Sequence, residues 1–584
     1  MRRPNPQCIT VQGDPAMEEI AALLHRRPEL ALFAAILLGQ IIGRIHVKVF
    51  SFGSVVGTMI AGILIGIFAA PPLPDLMRWV FFYLFLFSIG YSVGPQFFGS
   101  LRKEAIPQIV LSITLGVTGL ITVVAVAIVL DFDEGTAVGL LSGGLTQSAA
   151  LGTGLNAIAA LPLPDDIKAS MSGAAPLADA ITYGFGDLGL ILFLTVGAPL
   201  LLRINLKAEA KALENELAGG EAADSLFGGR FYAFRGYRVE NPSLFGVTVD
   251  ELEQRHAAGR LSVQRIRRDG TLLQVRPDTP IRHGDWIVAG GNRAAFVHAE
   301  SEIGTESDDA ELLAIPLKSA NVVITNKAVI GLSIGEARAD RYFSRGVYLD
   351  SITRGEQELP RSPGTRVQRG DVVHIIGSPQ DVERAAAAGG FVERDSGKTD
   401  LTFLAAGIIC GVLIGLYTID IDNIPLGLGI AGGILVVGLI AGWARSRYPV
   451  FGSMPEAAQR VLADIGLTVF IAIVGLTAGP HAVEAYHTRG GIFFASIFFG
   501  GMIVTLVPPL VALLVGKFLL KINPLLLIAG IAGAQTCTPG LNALRDASGS
   551  NIVALGYTVP YAIGNIILTI WGPIVVAILQ ALRH

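Results

Sequence analysis

Gly143-Gly-Leu-Thr-Gln-Ser-Ala-Ala-Leu-Gly-Thr153 lies within an apolar tract, yet seven of its eleven residues are glycines, hydroxyls or an amide. Gly533-Ala-Gln-Thr-Cys-Thr-Pro-Gly540 repeats that chemistry in the second half of the chain. Irregular backbone at membrane depth is tolerated only where protein buries it or where it lines a cavity. Each stretch therefore predicts a re-entrant hairpin, a helix broken near the bilayer midplane. The surroundings agree: 51% of the 584 residues are hydrophobic and only 16% charged, with 70 glycines. A soluble protein averages about 25% charged residues, so a soluble enzyme is excluded first. The net charge is −4 with no basic blocks, which argues against nucleic acid as a partner. Cys8, Cys410 and Cys537 are too far apart in sequence to suggest a disulfide framework or a metal cluster.

Outward from the hairpins, the apolar residues form two blocks, about 29–202 and 401–582. Spans of about 20 apolar residues are needed to cross a bilayer. The first block reads as Leu30–Ile45, Phe50–Ala70, Trp79–Phe98, Ile106–Leu130, the hairpin Gly135–Ala160 and Ala174–Leu202. The second reads as Thr402–Tyr417, Ile424–Trp443, Ile465–Pro480, Gly491–Val515, the hairpin Pro524–Leu544 and Ile552–Leu582. The polar start, Met1–Arg27, followed by a first span without a small-residue cleavage site, reads as part of the retained protein and not as a signal peptide.

The blocks are copies of each other. Gly53, Gly57, Gly62 and Gly66 have the spacing of Gly429, Gly433, Gly438 and Gly442, and Gly90-Tyr-Ser-Val-Gly94-Pro95 answers Gly475-Leu-Thr-Ala-Gly479-Pro480. Gln147 to Gly154-Leu-Asn156-Ala157 answers Gln535 to Gly540-Leu-Asn542-Ala543, with two extra residues in the first copy. Tyr183-Gly-Phe-Gly186-Asp187 answers Tyr561-Ala-Ile-Gly564-Asn565. Five crossings plus one hairpin per copy place Arg44 with Lys48, Arg102 with Lys103, Arg445 with Arg447, and Lys517 with Lys521 on the side of the central segment, and Asp131, Asp133, Glu134, Asp420 and Asp422 opposite. That satisfies the positive-inside rule, with Arg26 and Arg27 against it. An odd number of crossings makes the repeats inverted.

Between the blocks, Arg203–Thr399 is polar and has strand-like alternation, as in Arg260-Leu-Ser-Val-Gln-Arg-Ile-Arg267. It too is doubled: Val239-Glu-Asn-Pro-Ser-Leu-Phe-Gly246 parallels Ile324-Thr-Asn-Lys-Ala-Val-Ile-Gly331, and Ile281-Arg-His-Gly284-Asp285-Trp-Ile-Val288 parallels Val367-Gln-Arg-Gly370-Asp371-Val-Val-His374. Each copy reads as strands around one helix. No phosphate-binding glycine motif is present, so nucleotide hydrolysis has no support. The predicted fold is a polytopic α-helical membrane protein with two inverted repeats of about five spans plus a re-entrant hairpin each, and two small α+β cytoplasmic domains inserted between them. The limits are 1–28 for the N-terminal segment, 29–203 for repeat 1, 204–224 for the linker, 225–305 and 306–396 for the small domains, and 400–584 for repeat 2.

A broken helix presents free N–H groups and a positive dipole end, which suit a carboxylate. The candidate substrate-binding residues are Thr146, Gln147, Ser148, Thr153 and Asn156 in the first hairpin, and Gln535, Thr536, Thr538 and Asn542 in the second. Small polar residues also serve close helix packing, but packing gives no reason to keep Gln and Asn in both copies. Ionisable residues inside apolar spans are costly and usually functional. Asp179 and Asp187 are the two here, and Asp187 is the stronger because its repeat mate is Asn565; together they suit a substrate ammonium or a coupling cation. No Lys or Arg lies in mid-span, which leaves Lys168 and Arg545 at the hairpin bases as the cations nearest the site.

Taken together, the doubled Gly90-x3-Gly94-Pro95 and Gly154-Leu-Asn156-Ala157 elements and the paired central copies resemble the aspartate:alanine exchanger family of bacterial secondary transporters. That family also includes putative succinate exporters. The central copies resemble the TrkA-C, or RCK-C, regulatory domains of potassium-uptake proteins. The resemblance covers nearly the whole chain. It implies electrogenic exchange of small carboxylates or amino acids across the bacterial inner membrane, without catalytic residues, cofactor or metal. It also implies a small regulatory ligand at the central domains, and a homodimer is expected from the commonness of two-fold symmetry. A potassium channel or transporter under ligand control is the alternative, since such domains gate those proteins too. The chain lacks a Thr-Val-Gly-Tyr-Gly filter, and its hairpins carry side-chain donors where a filter has a run of carbonyls. A non-transporting sensor is disfavoured by two copies with broken helices.

Overall fold

The computed structural model describes residues 15–583 except 45, 48–49, 52, 101–104, 219–231, 257–260, 274, 293–295, 297–298, 308, 355–356, 393–398, 422–423, 428 and 448–451. Lys48, Arg102, Lys103, Asp422 and the domain limits drawn at 225 and 396 lie outside the described residues. The chain divides into two compact units, Met1–Ala210 with Ser396–His584, and Lys211–Asp395.

The first unit is helical and runs through the same succession of elements twice. The first pass is α1 (Pro28–Gly43), α2 (Gly53–Ala69), α3 (Asp75–Ser100), α4 (Ile106–Val129), α5 (Glu134–Gly144), α6 (Ser148–Ala160) and α7 (Asp165–Leu192). The second is α8 (Leu401–Gly415), α9 (Gly429–Arg447), α10 (456–489), α11 (491–514), α12 (Pro524–Ala534), α13 (Thr538–Ser548) and α14 (Ala554–Arg583). Helices α10 and α11 run on from each other, kinked at Gly490, whose φ of 68° a side chain would resist. Among the described residues, six stretches are long and apolar enough to cross a membrane: 75–98, 106–129, 165–202, 429–447, 456–519 and 551–583. Helices α1, α2 and α8 are apolar but shorter. Two spans begin later than the apolar runs suggest. Short antiparallel ladders, His46–Val47 with Phe50–Ser51 and Thr418–Ile421 with Ile424–Gly427, precede α2 and α9. Both are rich in β-formers, so hydropathy alone does not separate them from the helix that follows.

The second half of each glycine ladder forms the seam between the repeats, while Gly57 packs on Gly39 and Gly43 and Gly433 on Gly411 and Gly415 within their own repeats. Gly62 and Gly66 of α2 meet Gly475, Leu476 and Gly479 of α10, while Gly90 and Gly94 of α3 meet Leu435, Gly438 and Leu439 of α9. Each repeat therefore lays its second helix on the third helix of the other, backbone against backbone, as small residues permit. Gly116 and Gly501 reproduce the exchange: the first packs on Ile567 of α14, the second on Thr182 of α7. A Cβ at Gly66 would overlap the Leu476 carbonyl, and one at Gly442 the Tyr91 carbonyl. Overpacking costs typically about 1–3 kcal/mol, and more where backbone cannot yield. Gly66→Leu and Gly442→Leu are each expected to lower the melting temperature sharply in detergent. Gly184→Ala, with nothing within 4 Å of its added carbon, should leave it unchanged.

The second unit holds two sheets of one topology. In the first copy the strands are β1 (Tyr232–Arg238), β2 (Ser262–Arg268), β3 (Thr271–Leu273), β4 (Trp286–Asn292) and β5 (Glu306–Ser307), in the order β3-β2-β4-β1-β5. In the second they are β6 (Lys318–Ile324), β7 (Val347–Arg354), β8 (Gln357–Glu358), β9 (Val372–Gly377) and β10 (Gly390–Val392), in the order β8-β7-β9-β6-β10. The helices Val249–Arg255 and Ile334–Ala339 start on matching capping boxes, Thr248 with Glu251 and Ser333 with Glu336. The second copy has a further helix, Pro379–Gly389; among the described residues of the corresponding stretch the first copy has the short helix Ala299–Glu302.

The two Gly-Asp turns act as clamps. Asp285 accepts from the Arg282 N–H and takes Arg268 bidentately at 2.8 and 2.8 Å; Asp371 accepts from the Gln368 N–H and takes Arg354 at 2.7 and 2.8 Å. The hydrogen bonds that Arg268 donates to Asp285 hold its guanidinium above its ordinary pKa.

Candidate functional site

Helices α5 and α12 stop at equivalent points because Thr146 and Thr536 both take a left-handed backbone, φ 55° in each. For a β-branched residue that conformation is strained, by roughly 1–3 kcal/mol, and such strain concentrates at functional sites. The chain restarts at α6 and α13 with Gln147 and Cys537 as the N-cap residues. The structural equivalence is thus Thr146 with Thr536, Gln147 with Cys537, and Leu145 with Gln535. This differs from the match of Gln147 to Gln535 that the sequence suggested. Gln535 precedes the break and Gln147 follows it, so the two glutamines are not symmetry mates. Likewise Gly154-Leu-Asn156 lies one helical turn further from its break than Gly540-Leu-Asn542.

The breaks meet tip to tip. The Thr146 hydroxyl donates to the Gln535 carbonyl at 2.9 Å, and the Gln535 amide donates to the Gly144 carbonyl at 3.2 Å, which also accepts from Thr505 at 3.0 Å. Around the tips each repeat lends a side chain to the other. Gln147 donates to the Asn565 amide oxygen at 3.3 Å, and the Cys537 thiol lies 3.5 Å from the Asp187 carboxyl. Residues 147 and 537 correspond, as do 565 and 187, so these two contacts form a reciprocal pair. Gln535 is fully buried, and Asp187 and Asn565 are 6% and 7% exposed. The Gln535 side-chain oxygen is buried without a hydrogen-bond partner, as is the Thr536 hydroxyl. Buried polar groups are nearly always paired, so an orphan acceptor at a helix break needs an explanation.

The remaining candidates divide. Ser148 reaches the Tyr183 hydroxyl, and Thr538 lies 3.2 Å from the Tyr557 hydroxyl, both at the tips. Thr153 lies deeper and donates to the Thr569 carbonyl at 2.7 Å, a helix-packing bond. Asn156 is bonded to Tyr83, and Asn542 is exposed beside Arg545 at 3.5 Å; neither reaches the tips. Asp179 is held by Ser142 at 2.5 Å against α5, eight residues before Asp187 on the same helix. Lys168 pairs with Asp165 at the start of α7, and Arg545 follows Thr538 by about 10 Å of helix. Sequence reading missed Cys537, Tyr183 and Thr505. Cys537 and Tyr183 carried a signal, each by its place inside a doubled motif; Thr505 carried none.

Chemically, the site offers two helix N-termini and two helix C-termini at one point. The α6 N-terminus has no side-chain cap, because Gln147 is directed to Asn565. Free N–H groups suit a carboxylate, while the Gly144, Thr146 and Gln535 carbonyls with Asp187 suit an ammonium or a cation.

Residues 31–199 and 403–577 match the family described as a predicted permease membrane region, of the aspartate:alanine exchanger type, and residues 320–388 match the TrkA-C domain. The chain is similar to an uncharacterized transporter of Bordetella bronchiseptica, 48% identical over 97% of this chain and 100% of the relative. It is similar also to one of Bradyrhizobium diazoefficiens, 40% identical over 96% and 99%, and to one of Shewanella oneidensis, 34% identical over 96% and 100%. No solved structure matches it.

Proposed function

The chain belongs to the aspartate:alanine exchanger family of permeases, a multi-pass membrane transporter and not an enzyme, and from that premise we propose that it is an antiporter of small carboxylates or amino acids in the bacterial inner membrane. The observation that supports this reading is the junction of the two hairpin tips. Helix N-termini there take the substrate carboxylate, with Thr146, Ser148, Thr536 and Thr538 as hydroxyl partners. Asp187 and the carbonyls of residues 144, 146 and 535 take an ammonium or a coupling cation. The TrkA-C region regulates this cycle, and the protein works as a two-fold dimer.

Exchange follows from the energetics of an empty site. Each buried polar group left unpaired costs about 1–3 kcal/mol, and the tips already hold an unpaired Gln535 oxygen. A bound zwitterion satisfies these groups while the tips part; an empty site has nothing to replace the bonds it breaks. Return without cargo is therefore slow, and exchange is favoured over net flow.

The repeats are inverted, with hairpins entering from opposite faces and residues 203–399 inside. In a background lacking the native cysteines, an impermeant thiol reagent added outside is expected to label cysteine placed at Asp133 and to spare cysteine placed at Lys207; labelling at Lys207 overturns the topology. For the activity, proteoliposomes loaded with unlabelled aspartate, alanine or succinate should accumulate the labelled compound by counterflow. Rubidium flux without counterflow would reject exchange and favour the ion pathway.

A further inference from the structure

The two copies of the central module share a topology but not a core. Their strand pairing makes Tyr237 and Val322 equivalent: Tyr237 faces Ile287 across β4, and Val322 faces Val373 across β9. The capping boxes make Leu252 and Ala337 equivalent, and Glu253 and Arg338. In the first copy Tyr237 and Leu252 are fully buried and fill the space under the sheet, with Tyr237 stacked on Phe296 at 6.2 Å. The second copy has Val and Ala there. Ile375, in place of Ala289, takes back only part of the volume. What remains is a cavity of about 130 Å³ lined by Val322, Ile334, Ala337, Phe343 and Val367, among others.

One wall of this cavity is polar. Arg338 and Ser344 line it, at a place where the first copy uses Glu253 structurally. Glu253 accepts from the Val263 N–H at 2.9 Å and pairs with Arg345 at 2.9 and 3.0 Å, which ties the two copies together. Two smaller core side chains, in one copy only, together with a guanidinium in place of a carboxylate, leave an apolar cavity with a cationic wall where the first copy has a packed core.

We propose that the second copy binds a small monocarboxylic acid, its apolar body in the cavity and its carboxylate at Arg338 and Ser344. A cavity of about 150 Å³ accepts benzene, so a body of about five or six carbons fits. Guanidinium groups favour carboxylates by charge-assisted, bidentate hydrogen bonds. As the means by which the module governs transport, this inference rests on the regulatory reading above; as a binding site, it does not.

The test uses the full chain in detergent, with labelled benzoate as the acid probe and benzamide as its neutral counterpart. One benzoate should bind per chain, undiminished by excess aspartate or succinate, which separates this site from the transport site. Arg338→Gln should weaken benzoate at least tenfold and leave benzamide unchanged. Ala337→Leu, which restores the first copy's residue, should abolish both while keeping or raising the melting temperature. Benzoate binding unchanged in a folded Ala337→Leu protein, or no saturable binding to the unmodified chain, overturns the proposal. Counterflow measured with and without benzoate then reports on regulation alone: binding without any effect on exchange supports the site and removes its regulatory role.

Discussion

Asp187→Asn is expected to collapse exchange of an amino acid while sparing a dicarboxylate that has no ammonium. Asp187 is 6% exposed and touches Cys537 of the opposite hairpin. Its counterpart by repeat symmetry is Asn565, so the substitution keeps the shape, puts the same residue in both repeats and removes one acidic group from the junction. A charge-assisted hydrogen bond contributes about 1.5–3 kcal/mol, which corresponds to a loss of affinity of about 10- to 150-fold. The expected readout is a rise of that order in KM for aspartate or alanine counterflow, at equal protein in the membrane, with succinate changed by less than about threefold by the same reasoning. The Cys537 thiol provides an independent check. N-ethylmaleimide should inactivate the carrier, and substrate should slow that reaction, because the thiol and Asp187 share the site. Unchanged KM for both substrates in Asp187→Asn would move the ammonium site elsewhere.

Much of this arrangement was legible in the sequence because backbone contacts leave a compositional trace. Only glycine lets two helices touch at Gly66 and Leu476 or at Gly442 and Tyr91, and four matched glycines followed by Gly-Pro therefore exposed the duplication. The break in each hairpin was legible in composition but not in register. Its position is set by the left-handed backbone of Thr146 and Thr536, and threonine, unlike glycine, does not advertise that conformation. Matching Gln147 to Gln535 by identity consequently slipped the alignment by two residues. Cys537 stands inside the polar motif, but a lone cysteine reads as a small hydrophobe and so gave no reason to prefer it over the flanking threonines. In the central module the Gly-Asp turns were visible, while their Arg268 and Arg354 partners, on neighbouring strands, required the sheet register to find. Asn156 and Asn542 were drawn in by their motif, yet about two and a half turns of helix carry the first away from the junction and more than one turn the second.

Because the two glutamines are not symmetry mates, their alanine variants should differ. Gln147→Ala removes its two contacts to Asn565, to the amide oxygen at 3.3 Å and to the backbone carbonyl at 3.4 Å, and leaves Asn565 still donating to the Tyr561 carbonyl at 3.0 Å. Gln535→Ala does more to function and less to stability. The Gly144 carbonyl keeps Thr505 as a donor when the Gln535 amide is lost, and the Gln535 side-chain oxygen has no partner to lose. Deleting a buried acceptor that is unsatisfied relieves a desolvation cost of about 1–3 kcal/mol, which offsets the one bond given up. The melting temperature of Gln535→Ala should therefore stay within a few degrees of the unmodified protein. If that oxygen instead finds its partner in the substrate, the same variant should bind substrate about tenfold more weakly, the worth of one buried hydrogen bond. Gln147→Ala should show the smaller loss of affinity. A Gln535→Ala protein that melts much earlier, yet binds substrate with unchanged affinity once folded, would make the residue a tie between hairpins and nothing more. Stable protein with weakened binding is the pattern that a substrate contact produces and a packing contact does not.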